Sequence, residues 1–183
     1  DIAVIRSMQA DVPNHEPSLL LMNCGDSRLP RPSMGSWINY GLGTENQNLP
    51  GFVVIKDSEG TVVNGVRNWG NGFMPAVYQG VEFSPDGPPI KHLENPKGIS
   101  AERQRDKLDL LAALNQDYNA SRTDNTELDA RIRAYELAYK MQSEAPQAVD
   151  LSKESDATKS LYGMDQPETA VYGRNCLLAR RLV

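Results

Sequence analysis

The residues best suited to chemistry lie between Asp11 and Gly25. Asn14, His15, Pro17 and Ser18 lead into the apolar run Leu19–Met22, which Asn23, Cys24 and Gly25 close. Polar residues, then Pro, then an apolar run stopped by Gly read as a short helix over Pro17–Met22, since Pro is tolerated in a first turn and Gly suits a helix end. A helix start offers unpaired N–H groups and the positive end of the helix dipole, a setting for phosphate or sulfate. The same dipole disfavours imidazolium, so His15 would tend to be available as ligand, base or nucleophile. The plainer alternative is that Asn14 caps the helix and His15 fills the turn. Arg28 and Arg31 follow Gly25 closely, and their planar forks match the oxygens of an anion. A solvated pair on a polar loop is the alternative.

Further along, Ser33 and Ser36 flank Gly35 as loop hydrogen-bonders, with no His/Asp partner legible for a nucleophilic role. Trp37, Tyr40, Trp69 and Phe73 stand in Gly-rich segments, where they either wall a sugar-binding cleft or anchor loops on a core. His92, between Lys91 and Leu93, reads as a surface loop residue. Cys24 and Cys176 read as two free thiols, since the sequence supplies no geometry for a bridge.

These residues need elements to hold them, and Gly and Pro show where those elements lie. Residues 1–98 hold 12 of the 14 Gly and 10 of the 12 Pro, so that half should be loops and short strands, and residues 99–183 mainly helical. Strands are expected at Ile2–Ile5, Phe52–Ile55 and Thr61–Val63, the last two joined in a hairpin through Asp57–Gly60. Residues 65–98 read as one long loop region. Helices are expected from Ser100 to about Tyr118, then from the capping-box spacing Asp124–Glu127 onward through Leu128, Ile132, Tyr135 and Tyr139. A short helix over Ser155–Leu161 and a last one from near Glu168 complete the list. Strands mixed with helices make an α/β protein, and the opening strand leading into a helix implies a mostly parallel sheet.

Composition bounds the function. The chain has 183 residues, a net charge of −5 and a pI near 5.1, which argues against a nonspecific nucleic-acid binder. Two His and two Cys exclude a zinc ribbon, a disulfide-rich mini-domain and a self-contained His-rich metal centre. No apolar run approaches the ~18 residues of a membrane-spanning helix. The apolar opening run and the amphipathic close at Asn175–Val183 read as an internal fragment of a longer protein, because an apolar helix face needs a partner.

Laid without gaps on the sulfatase pattern of nucleophile, any residue, Pro, Ser, Arg, apolar residues and Thr-Gly, the sequence puts His15 at the nucleophile, with Pro17, Ser18 and Gly25 matching. Leu19 replaces the Arg and Cys24 the Thr, so chemistry through a modified Cys is not expected. Longer words match in order along the chain: Ile5–Met8, Asn14-His15 with Pro17, Arg31–Trp37, Tyr40–Val54, Gly72–Gly80, Asn95–Gly98, Tyr135–Ala138 with Met141-Gln142, and Cys176–Val183. By these the chain resembles the sulfatase-like bacterial family catalogued as domain of unknown function 1501, in the alkaline-phosphatase superfamily. Cys24 and Pro30 depart from its usual residues.

The resemblance implies an α/β sandwich with a mostly parallel sheet, of which residues 1–183 would be an internal part. It also implies a divalent-metal centre in the full-length protein, whose ligands fall mostly outside this stretch, with His15 a possible contributor. The resulting expectation is part of an exported, periplasmic or extracellular hydrolase acting on sulfate or phosphate esters of small molecules or polysaccharides. His15 would be the catalytic group, Asn14 and Asn23 would orient it or the substrate, and Arg28 and Arg31 would hold the anion. The alternative is a non-catalytic protein of the same fold binding a glycan or a protein partner, favoured by the missing nucleophile type and the aromatic, Asn-rich segment 65–83.

Overall fold

Glycines in the left-handed region stop the first two helices. In the computed structural model, which describes residues 3–56, 62–84, 87–91, 93–120 and 126–183, α1 runs His15–Cys24 and α2 runs Met34–Leu42. Gly25, at φ 75°, closes α1 with its N–H on the Leu21 carbonyl, and Gly43, at φ 70°, closes α2 on Asn39. α2 falls where the sequence reads as loop. Ser33 is its N-cap, accepting the Ser36 N–H, so the two serines begin a helix rather than hold a loop. Gly35 on α2 lets the Phe52 ring lie against the helix, where any Cβ would collide with it.

The sheet has two short strands, β1 (Val53–Ile55) and β2 (Val81–Phe83), paired in parallel with Val53 opposite Val81 and Ile55 opposite Phe83. Parallel pairing needs a crossover, supplied here by a segment with two 3-10 turns, Gly65–Trp69 and Ala76–Tyr78. The expected hairpin partner of β1 is therefore replaced by β2. Val62 and Val63 form no strand, and Thr61 and the turn Asp57–Gly60 lie outside the described residues. The opening strand is also absent among the described residues: Val4 and Ile5 are exposed and unpaired by any ladder.

The second half is α3 (Ala101–Ala120), α4 (Thr126–Val149), α5 (Asp156–Leu161) and α6 (Ala170–Leu182). Ser100 caps α3 by accepting the Arg103 N–H at 3.2 Å, and Ser155 caps α5 by accepting that of Thr158 at 3.1 Å. α4 continues through Pro146 because Met141 and Ala145 are buried there, with Ala148 and Val149 packed beside them, and packing outweighs one lost backbone bond.

Leu49, Phe83, Met141 and Ala145 form the core, covered by Val53, Ile55, Leu137 and Leu182. The C-terminal helix has the partner its apolar face requires: Leu177 and Leu178 are fully buried, and α6 packs on α4. The architecture is a helix-rich α/β arrangement around a small parallel sheet, and the larger sandwich expected around it is not seen among the described residues.

Candidate functional site

The α1 segment does not gather its candidates. Asn14 is the N-cap but its side chain makes no capping bond, and His15 is the first helical residue, exposed. Pro17 has no N–H to offer and Glu16 adds negative charge in the first turn, so this helix start is a poor cradle for an anion. Asn23 turns its amide back onto the Leu19 carbonyl at 2.9 Å. Arg28 and Arg31 lie beyond the other end, about 15 Å along the axis for ten residues. There Asp26, which the sequence reading missed, organises them. Its carboxylate accepts the Arg28 and Leu29 N–H groups at 2.8 and 3.0 Å and meets Arg31 Nε at 3.3 Å. Those backbone bonds, the Arg28 one first, hold the Asp26 carboxyl below its usual range. The expected grouping of His15 with both arginines is thus split between the two ends of one helix.

Among the described residues, no three His, Cys, Asp or Glu side chains gather to hold a metal ion. His92 lies outside the described residues. Cys24 is buried, its thiol directed at the Arg67 carbonyl 3.4 Å away and pushed up by burial; Cys176 is half-buried, and the two are not bridged.

The aromatic residues behave differently. Trp37 and Tyr40, one turn apart on α2, meet edge-to-face at 6.4 Å. Trp37 meets Phe73 at 6.0 Å, and Tyr40 meets Tyr78 at 5.3 Å, both near-perpendicular. Four rings from three chain segments make one continuous row, and Trp37, Tyr40 and Phe73 are 49%, 57% and 67% exposed. Trp69 is the exception, buried at 7% beside α1. What brings the row together is polar and buried: Ser33 N–H and Ser36 Oγ both bond the Gly70 carbonyl, at 3.1 and 3.0 Å, tying the start of α2 to the segment that carries Phe73. Gly72, at φ 55°, lies so close to Pro32 that a side chain has no room.

The row leads into a cleft of about 520 Å³ between α2, residues 43–52, residues 77–81 and α4. Tyr40 and Tyr78 stand on one wall; Arg133, Glu136 and Lys140, spaced along one face of α4, form the other. Asn39, Asn46, Gln47 and Gln79 supply amides between them. Asn46 Oδ1 holds its loop by accepting the Asn48 and Leu49 N–H groups, whereas the Asn39 and Gln79 amides take no hydrogen-bond partner among the described residues. The volume falls within the roughly 300–1,000 Å³ of small-molecule clefts. The sequence named three of the four rings; Tyr78 and the α4 wall were missed, because nothing in α4's own pattern shows which face meets residues 76–81.

The family model that matches the chain is described as "Protein of unknown function (DUF1501)", and it matches residues 1–183. No curated protein and no solved structure matches. The expectation of a sulfatase-like, alkaline-phosphatase-related protein is therefore corrected: the match over residues 1–183 is to a family of unknown function, and no match to a sulfatase accompanies it. The chain belongs to this DUF1501 family.

Proposed function

We propose that this member of the DUF1501 family binds a glycan chain in the cleft between α2 and α4, without catalysing its cleavage. The observation that carries the reading is the exposed row Phe73–Trp37–Tyr40–Tyr78 running into an amide-lined cleft. Exposed rings flanked by apolar Met34, Ile38 and Leu42 are costly to leave in water, and such a patch marks an interaction site. The apolar C–H face of a pyranose covers an aromatic ring, while its vicinal hydroxyls pair with the donor and acceptor of one amide. Tyr, Asn and Gly together give rigid contact area and adaptable hydrogen bonds, the composition that binding loops use. The role goes with a periplasmic or extracellular location, where free polysaccharide is met. Calorimetric titration with short oligosaccharides tests it: saturable binding that Tyr40→Ala weakens is expected, and no binding by the folded protein to any neutral or acidic oligosaccharide would overturn it.

A second reading is hydrolysis of sulfate or phosphate esters with His15 as the proton-transferring group. It is favoured by the exposed imidazole at a helix start whose N-cap side chain is not engaged. An assay on aryl sulfate and aryl phosphate esters with added divalent metal decides it, since turnover that His15→Ala abolishes supports the reading and none rules it out.

A further inference from the structure

We infer that the cleft selects acidic over neutral oligosaccharides, because Arg105 engages both oxygens of Glu136 and leaves Arg133 and Lys140 as a net cationic wall. The inference rests on the glycan reading and adds the charge of the ligand to it. Among the described residues lining the cleft, Glu136 is the one acid. Positions 133, 136 and 140 lie three and four residues apart on α4, so the carboxylate stands between two cations on one helix face. Left alone, it would pair with them and offset one of the two positive charges.

It is not left alone. Arg105 reaches across from α3 and grips both oxygens, Nη1 to Oε2 at 2.9 Å and Nη2 to Oε1 at 2.6 Å. That bidentate fork is the strongest geometry a carboxylate can accept. Asp109 meets the same guanidinium at 2.7 Å, and its plane lies over the Tyr139 ring at 5.0 Å, so Arg105 is fixed on three sides. The Arg105 hydrogen bond, above all, holds the Glu136 carboxyl below its usual range. The side chains of Arg133 and Lys140 make no ion pair or hydrogen bond among the described residues, and Lys140 acts on Glu136 only through its charge. In a chain of net charge −5, two cations against one engaged carboxylate, facing a pair of tyrosines across a cleft, are a local reversal of sign.

The ligand chemistry is an oxyanion carried on a pyranose whose ring lies against Tyr40 or Tyr78. A uronic-acid carboxylate and a sulfate ester both fit that description, and Arg105 is a positioning residue that never touches either.

The experiment titrates the folded protein with an oligogalacturonate, its fully methyl-esterified form and a sulfated neutral oligosaccharide, at low and high salt. The expected result is an affinity for one or both acidic forms about tenfold above the methyl ester at low salt, with the difference screened away by added salt. The tighter of the two acidic ligands names the source of the oxyanion. Arg133→Gln with Lys140→Gln should erase the ratio. Arg105→Gln should shrink it, while the methyl ester still binds, because the released Glu136 turns to its neighbours and offsets one of their two charges. Adding Glu136→Gln to Arg105→Gln should restore the ratio, which a merely structural role for Arg105 would not produce. Equal affinity of the neutral and acidic forms would overturn the inference and leave the glycan reading standing. No binding of any form would overturn both.

Discussion

The two ends of α1 and the α2–α4 cleft are opposite kinds of candidate. At α1, residues adjacent in sequence look like one site, yet ten residues of helix separate His15 from Arg28 and Arg31. At the cleft, residues up to a hundred positions apart converge: Tyr40 from α2, Tyr78 from the crossover and Lys140 from α4 line one space. Spacing along the chain fixes neighbours within a turn of helix and little beyond it. The side chains differ as well. Asn23 and Arg31 are already engaged with Leu19 and Asp26, whereas Asn39, Gln79, Arg133 and Lys140 are not. Unspent hydrogen-bonding capacity beside exposed rings is what a binding surface requires, and only the second region has it.

That contrast can be broken most severely from beneath. Phe83, 1% exposed, supports β2 and the core under α4, and Phe83→Ala should cost about 3–5 kcal/mol, read as a lowered denaturant midpoint. Ligand binding at the cleft should disappear with it as α4 loses its seat. Normal stability in this variant would show that the cleft does not depend on the core described.

Trp37→Ala sharpens the comparison without touching the core. Trp37 is half exposed, so stability should change little while oligosaccharide affinity falls about tenfold, or ~1.4 kcal/mol. Arg31→Gln at the other region should leave that affinity unaltered. A loss of binding in Arg31→Gln equal to that in Trp37→Ala would erase the distinction between the two regions.

Much of the helical half was legible because its signals are local. Ser100 and Ser155 cap the helices that follow, and Gly163 lies just past α5 as a stop signal should. β1 stood out as Phe52–Ile55, one residue longer than the strand Val53–Ile55 that forms. Other elements were hidden by the same logic. α2 contains Gly35 and Gly41, which read as loop, and its formation rests on Ser33 and on the Gly70 carbonyl that lies far along the chain. β2 is three residues long and depends on a parallel partner across the crossover, so no periodicity marks it. For the candidate site, three of the rings were legible as aromatics in Gly-rich segments that either wall a cleft or anchor loops, but the row's fourth member and its cationic wall are tertiary facts. Trp69 shows the converse: the same residue type in the same Gly-rich context is buried, in the 3-10 turn that packs on α1.

Smaller effects test the joints. Ser33→Ala removes the helix cap and the hydroxyl contact with Ser36, while its backbone N–H bond to the Gly70 carbonyl stays, and should cost about 1 kcal/mol, with a matching weakening of cleft binding because the start of α2 loosens. Unchanged binding together with lowered stability would show that α2 is held by other means. The smallest effect is electrostatic. The folded protein holds Glu136 below its unfolded carboxyl value, so the Arg105–Glu136 contribution is present above that unfolded value and is lost as pH falls through the folded one. Thermal midpoints taken across the acidic range should therefore drop less steeply in Glu136→Gln than in the parent protein. Parallel profiles would show that the pair contributes nothing to the α3–α4 joint.

The two tryptophans allow the most direct test, since Trp37 stands in the row of rings and Trp69 is buried beside α1. Their indole N–H resonances can be followed by heteronuclear NMR during titration with short neutral and acidic oligosaccharides, assigned by Trp37→Phe. Glycan binding in the cleft predicts that the Trp37 signal moves saturably while the Trp69 signal stays. A Trp37 signal that never moves with any of these ligands, or a Trp69 signal that moves alone, would contradict it.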